Sequence, residues 1–201
     1  ISALFIDTPG IGEALRLRQL VTRHDYEKPV GAAVDWLIAQ EKLVDPKRIG
    51  LIGSSLGGYY VARATAFEPR IRATVAWGAI YDYHKVWVDR VSKGGSIAAP
   101  RFQLMFITGQ DTMATAIEHV REFRISPFAS RITAPFLIMH GSEDLQVPMA
   151  HAHAMLEAIG SADKELIVFS GEDGGAAHTQ FDNHLPALQR CADWMQQRLA
   201  A

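Results

Sequence analysis

Ser55 lies at the centre of Gly53-Ser54-Ser55-Leu56-Gly57, a G-x-S-x-G spacing, and a serine in that setting can attack a carbonyl carbon. The spacing follows from the chemistry. A serine on a sharp strand-to-helix turn has strained backbone angles and little room, so the residues two before and two after it are expected to lack side chains. The strain lifts its hydroxyl clear of the sheet. Leu56 then opens a helix whose positive end faces the same point, and its backbone N–H is placed to stabilise a developing oxyanion. A hydroxyl is a weak nucleophile near neutral pH. Ser55 therefore needs a base within hydrogen-bond reach and a third group to hold that base's tautomer.

With eight histidines in the chain, the base must be chosen by position. His178 follows a short apolar run and a glycine-rich loop, Ser170 to Ala177, and is the preferred base. His184, opening the last predicted helix, is its main rival. His140 ends an apolar strand and reads as packed, while His151 and His153 lie two apart on a helix, face different ways and make a poor metal pair. Asp144 follows the Phe136 to His140 run and is the preferred acid, with adjacent Glu143 and Asp82 as alternatives. Serine, acid and histidine then occur in the order that accompanies G-x-S-x-G. Cys191, on the final helix, reads as a small apolar core residue and not a nucleophile.

Several elements must position these side chains. Ile49 to Ile52 is a β-branched apolar run between Asp45-Pro46 and Gly53, as expected of a central parallel strand covered on both faces. Tyr59 to Ala66 is the buried helix behind it. Ile71 to Trp77, Phe136 to His140 and Leu166 to Phe169 read as further strands. Val30, Val34, Leu37 and Ile38 mark a helix begun near Pro29, and Leu185, Leu188, Ala192, Met195 and Leu199 a closing helix.

Ile1 to Ile6 reads as another buried strand, with earlier strands of the sheet expected outside this sequence. Its following loop holds Gly10 and Gly12, but Leu15 stands where a dinucleotide-binding fingerprint needs its third glycine and no clean helix is expected to open there. Leu15 to Tyr26 is a charged surface segment. Tyr83 to Arg131 exceeds a simple crossover, includes a helix from about Thr112 to Phe123, and reads as crossover plus inserted lid within one catalytic core spanning 1–201. The alternation implies an α/β class: a doubly wound, mainly parallel sheet with helices on both faces.

Composition narrows the partners. At 201 residues and 48% hydrophobic, the chain can bury one full core. A net charge of −2 without a basic run gives no electrostatic footprint for nucleic acid or an anionic membrane, and the longest apolar runs are strand-sized. One cysteine cannot form an internal disulfide, so a cytoplasmic setting is expected, although a targeting signal would be invisible here. A small-molecule substrate is expected, with no cofactor and no metal. The oligomeric state stays open, a homodimer included.

Taken together, Asp7-Thr8-Pro9-Gly10-x-Gly12, the Ala33 to Leu37 helix with Asp45-Pro46-x-Arg48-Ile49, the elbow, Trp77-Gly78, His140-Gly141-x-x-Asp144-x-x-Val147-Pro148 and the loop to His178 resemble the α/β-hydrolase fold. Within it the chain is similar to the branch of fermentation/respiration-switch-like esterases, fungal polyketide-shortening hydrolases and 2,6-dihydroxypseudooxynicotine hydrolase. The resemblance implies a serine hydrolase in which Ser55 attacks, His178 carries the proton and Asp144 orients the imidazole. Some members of that branch cleave esters. Others cut a carbon–carbon bond beside a ketone, where the leaving carbanion is stabilised as an enolate or an electron-rich ring. The family's upstream half, with its helical cap and second oxyanion donor, has no counterpart in these residues. Trp77, Tyr81 and the lid aromatics are expected to shape a fairly apolar substrate site. A prolyl-oligopeptidase-type peptidase is the alternative chemistry, and a non-catalytic small-molecule receptor or interaction domain on the same fold is the alternative class.

Overall fold

The structure, a computed structural model, describes residues 2–40, 44–92, 101–172 and 174–200. Four parallel strands pair in the order β1 (Ile49–Ser54), β2 (Ile71–Trp77), β3 (Phe136–Gly141) and β4 (Lys164–Phe169). Parallel neighbours need a crossover between them. Helix α3 (Leu56–Phe67) joins β1 to β2, and α7 (Met149–Ala158) joins β3 to β4. The longer link from β2 to β3 holds α4 (Tyr83–Ser92), α5 (Arg101–Thr108) and α6 (Met113–His119). Before the sheet come α1 (Gly12–Arg16) and α2 (Glu27–Ile38), and after it α8 (His184–Ala200).

Helices cover both faces, which leaves two apolar cores. One face packs against α3, α7 and the β2–β3 link, with Tyr59, Phe123, Phe136 and Met155 fully buried. The other is closed by α8, whose Cys191, Trp194, Met195 and Leu199 lie over Val75, Leu137 and Met139. Covered twice, β2 and β3 are buried almost without interruption, which explains why they read as continuous apolar runs. Helix α3 is buried nearly all round because its small residues let it lie close to β1 and β2. Buried Val30 and Val34 set the inner stripe of α2, while Trp36 faces outward.

Three expectations are corrected. Residues 2–7 form no strand: no described strand pairs with them, and Phe5 is 93% exposed. An extended apolar run supplies side chains for a strand but not the partner whose backbone must complete its hydrogen bonds. For the same reason β1 is an edge and not a central strand among the described residues, and Ile52 is 52% exposed. Finally, a short helix, α1, opens at the Asp7–Gly12 loop, where none was expected. Asp7 Oδ2 accepts a hydrogen bond from the Glu13 N–H, satisfying a first-turn donor.

Candidate active site

Ser55 occupies the turn between β1 and α3 with φ 57° and ψ −119°, a left-handed backbone that L-residues rarely adopt. Its N–H donates to the Trp77 carbonyl at 2.7 Å, tying the turn to the end of β2. Gly53 is required by space, since a Cβ there would lie 2.2 Å from the Gly57 carbonyl oxygen. Gly57 is not: a Cβ there would meet nothing within 4 Å, so only one of the two flanking glycines is sterically forced. Leu56 is the first residue of α3, so its N–H belongs to the helix turn whose donors lack intrahelical acceptors.

His178 comes to the same point from the loop after β4. Its Nε2 stands 2.8 Å from Ser55 Oγ, and its Nδ1 2.6 Å from Asp144 Oδ2. The following residues, Thr179 and Gln180, also have positive φ, so three of the four such non-glycine residues among those described cluster here. Gln180 is fully buried and its side-chain oxygen accepts the Trp77 indole N–H. This holds the imidazole against the end of β2. Gly141 and Gly78 permit the approach: a Cβ on Gly141 would lie 2.2 Å from the Ala176 carbonyl oxygen, and one on Gly78, whose φ is +75°, 2.9 Å from Thr179 Cγ2.

Asp144 follows β3, and its side chain is fully buried. Burial opposes its charge. Hydrogen bonds from His178 and from the backbone nevertheless hold its carboxyl below the usual carboxylate range. The N–H groups of Gln146 and Val147 both donate to Oδ1 at 2.8 Å, leaving Oδ2 for His178. A negative Asp144 fixes the proton on Nδ1 and so leaves the Nε2 lone pair facing the serine hydroxyl. The arrangement is chemically competent to deprotonate Ser55 as it attacks and to return the proton to a leaving group.

His140 is the buried neighbour of this cluster. Its Nε2 donates to the Val147 carbonyl at 2.9 Å and lies 3.5 Å from Asp144 Oδ2. Burial pushes its pKa down and its Nδ1 has no hydrogen-bond partner, so it stands neutral and forms no ion pair. The rivals are placed elsewhere. Asp82 Oδ1 accepts the Lys85 N–H in the first turn of α4, Glu143 points to solvent, and His184 packs edge-on to Trp77. His151 is buried and His153 exposed, facing apart as expected. Burial raises the Cys191 thiol to about 11, away from thiolate chemistry.

Ser55, Leu56 and Gly57 border a cavity of 250 Å³ at the carboxyl ends of the strands. Its other walls include Tyr60 of α3 and, from the β2–β3 link, Tyr83, Trp87, Arg90 and Ile107. A larger open depression of 410 Å³, beside Pro46, Lys47 and Arg72, lies at the amino-terminal ends of β1 and β2 and holds no nucleophile. The expectation for Trp77 and Tyr81 needs correction. Neither borders the cavity: Trp77 sits in the core under α8, and Tyr81 packs partly buried beside the other core. Tyr60 and Arg90 were missed. Tyr60 carried a signal, since it lies one helical turn beyond Leu56 on the same face. Among the described residues no group of three His, Cys, Asp or Glu could hold a metal ion, and no helix is long and apolar enough to cross a membrane.

Residues 22–201 match the sequence model of the prolyl oligopeptidase family. The chain belongs to that family. Among curated proteins, it is 28% identical over 196 residues to 2,6-dihydropseudooxynicotine hydrolase of Paenarthrobacter nicotinovorans, covering 97% of this chain and 49% of the relative. It is 26% identical to 20-hydroxy-prefusarin hydrolase of Gibberella moniliformis, covering 96% and 54%. The chain thus spans about half the length of the curated relatives it matches. The crystal structure of 2,6-dihydroxy-pseudo-oxynicotine hydrolase superposes with a TM-score of 0.81 at 28% identity, covering 96% of this chain and 52% of that one. A Pyrococcus furiosus esterase superposes with a TM-score of 0.64 at 18% identity, covering 86% of this chain and 62% of that one, a likeness of fold. The fold of this prolyl oligopeptidase family member is the α/β-hydrolase fold, and its homologues are named hydrolases.

Proposed function

We propose that the protein is a serine hydrolase that cleaves an ester, or a carbon–carbon bond beside a ketone, in a small, fairly apolar substrate. The observation that carries this reading is the unbroken relay from Ser55 Oγ through His178 to Asp144, at 2.8 and 2.6 Å. Ser55 Oγ adds to the carbonyl carbon while its proton passes to His178 Nε2. The oxyanion draws on the Leu56 N–H. When the tetrahedral intermediate collapses, the bond to the leaving group breaks and His178 returns the proton to it, to an alkoxide in an ester or to the carbanion in a ketone. Water, deprotonated by His178, then releases the acyl group from Ser55. The similarity to 2,6-dihydropseudooxynicotine hydrolase supports the ketone branch, and Tyr83, Trp87, Arg90, Gln103 and Ile107 wall the site in this reading.

The test is covalent labelling of Ser55 with a fluorophosphonate, read by intact mass on the complete protein. An adduct absent from Ser55→Ala is expected, together with turnover lower by about four to six orders of magnitude in that variant. A folded protein that takes no label would remove the reading. The family's name favours a second reading, a peptidase. Aminoacyl anilides assayed beside aryl esters and aryl ketones separate the two.

A further inference from the structure

Arg90 lacks the acidic partner that six of the chain's other arginines have. Arg23, Arg63, Arg70, Arg121, Arg124 and Arg198 each meet an Asp or Glu, whereas no ion pair to Arg90 forms among the described residues. Its place in the last turn of α4 suits a cation, because the helix's negative end lies there. That placement does not explain where the side chain goes. The half-buried guanidinium folds back over the Trp87 ring, 4.7 Å from its centroid, and Nη2 donates to the Gln146 carbonyl at 2.6 Å.

These two contacts hold a planar, five-donor fork rigidly while occupying little of its hydrogen-bonding capacity. The fork borders the cavity that Ser55 also borders, and it is the one charged group among the described lining residues. Gln146 links it to the relay as well, since the same residue's N–H donates to Asp144 Oδ1. Burial lowers the pKa of Arg90. A guanidinium partly stripped of water, with only the Asp144 charge acting on it from beyond contact, is costly, and a ligand anion in the cavity would offset that cost.

We propose that Arg90 selects the substrate by binding an anionic oxygen, so that the preferred substrate is a small ester or ketone bearing a carboxylate a few bonds from the carbonyl that Ser55 attacks. This rests on the hydrolase reading above and adds the substrate's charge to it. The surrounding Trp87, Tyr83 and Ile107 take the apolar spacer between the two groups.

The experiment compares two matched esters on the complete protein: p-nitrophenyl valerate and the mono-p-nitrophenyl ester of glutaric acid, which differ only in the terminal carboxylate. Wild-type kcat/KM is expected to favour the acidic ester by about 10- to 100-fold, carried mainly by KM. In Arg90→Gln that ratio collapses towards one, and in Arg90→Lys, which keeps the charge but loses the fork, it is intermediate. Added glutarate should slow fluorophosphonate labelling of wild-type Ser55. A wild-type protein that labels at Ser55 and hydrolyses both esters equally overturns the role of Arg90 alone, whether or not the variants fold. A ratio that survives Arg90→Gln does the same. Failure of labelling and of both hydrolyses overturns the hydrolase reading and this inference with it.

Discussion

A carboxylate buried without water must be held by directed hydrogen bonds, and at Asp144 the division of labour between its two oxygens is clear. Oδ1 takes two backbone N–H groups and Oδ2 takes the imidazole. Asp144→Asn can preserve the Oδ1 contacts, because an amide oxygen accepts as a carboxylate oxygen does. The amide nitrogen then faces His178 Nδ1 as a donor, and the imidazole is driven to the tautomer that puts its proton on Nε2, towards the serine. Turnover is expected to fall by about 10⁴-fold with the melting temperature little changed, a pattern set by tautomer control in such triads. Steady-state kinetics beside thermal melts check it; equal losses in both would assign Asp144 a structural role instead. That Ser55, His178 and Asp144 would meet was legible because the proposed relay requires fixed chemical types at strand ends. Trp77 and Tyr81 were misplaced because an aromatic near a strand end serves a core or a cavity equally well. Arg90 was invisible for a similar reason: only the fold shows that, among the described residues, no acid pairs with it and that it borders the cavity.

At the level of elements, the site depends on two loops meeting at short range. The loop after β3 carries Asp144, the loop after β4 carries His178, and the Glu143 N–H donates to the Ala176 carbonyl at 2.9 Å between them. Gly141 makes this possible, with no room for a Cβ against that same carbonyl. Gly141→Ala must therefore displace backbone, at an overpacking cost of about 1–3 kcal/mol. Both stability and turnover are expected to drop, and the loss of turnover should persist at a temperature where the variant is fully folded. Circular dichroism and kinetics at matched temperature read the two apart. Element types along the chain were largely legible, since β2 matches the expected Ile71 to Trp77 and β3 and α3 differ only at their ends. Pairing was not. The Ile1 to Ile6 run and β1 carry similar apolar side chains, yet among the described residues β1 finds a neighbouring strand and residues 2–6 do not. Periodicity reports which side chains tolerate burial, and says nothing of which backbone supplies the hydrogen bonds.

Across the whole molecule, stability below neutral pH is controlled by buried groups that resist protonation. His140 is fully buried with a carbonyl on Nε2, and His151 is buried with its Nδ1 accepting the Asp82 N–H at 3.3 Å. Burial lowers both pKa values in the folded state. The unfolded chain binds these protons near the ordinary value of about 6.5, so it holds more protons than the native state below that pH. Their contribution is complete above about pH 6.5 and declines as pH falls from there towards the lower native values. Asp144 has the same sign in a different window, because its depressed carboxyl gives up stability only below about pH 4. Melting temperatures from pH 7 to pH 5 therefore isolate the histidines: a steady fall is expected, and His140→Gln, which can still donate to the Val147 carbonyl, should reduce its slope. A melting temperature flat across that interval would show that these rings reach water or a counter-charge when protonated, and would remove this account of acid sensitivity.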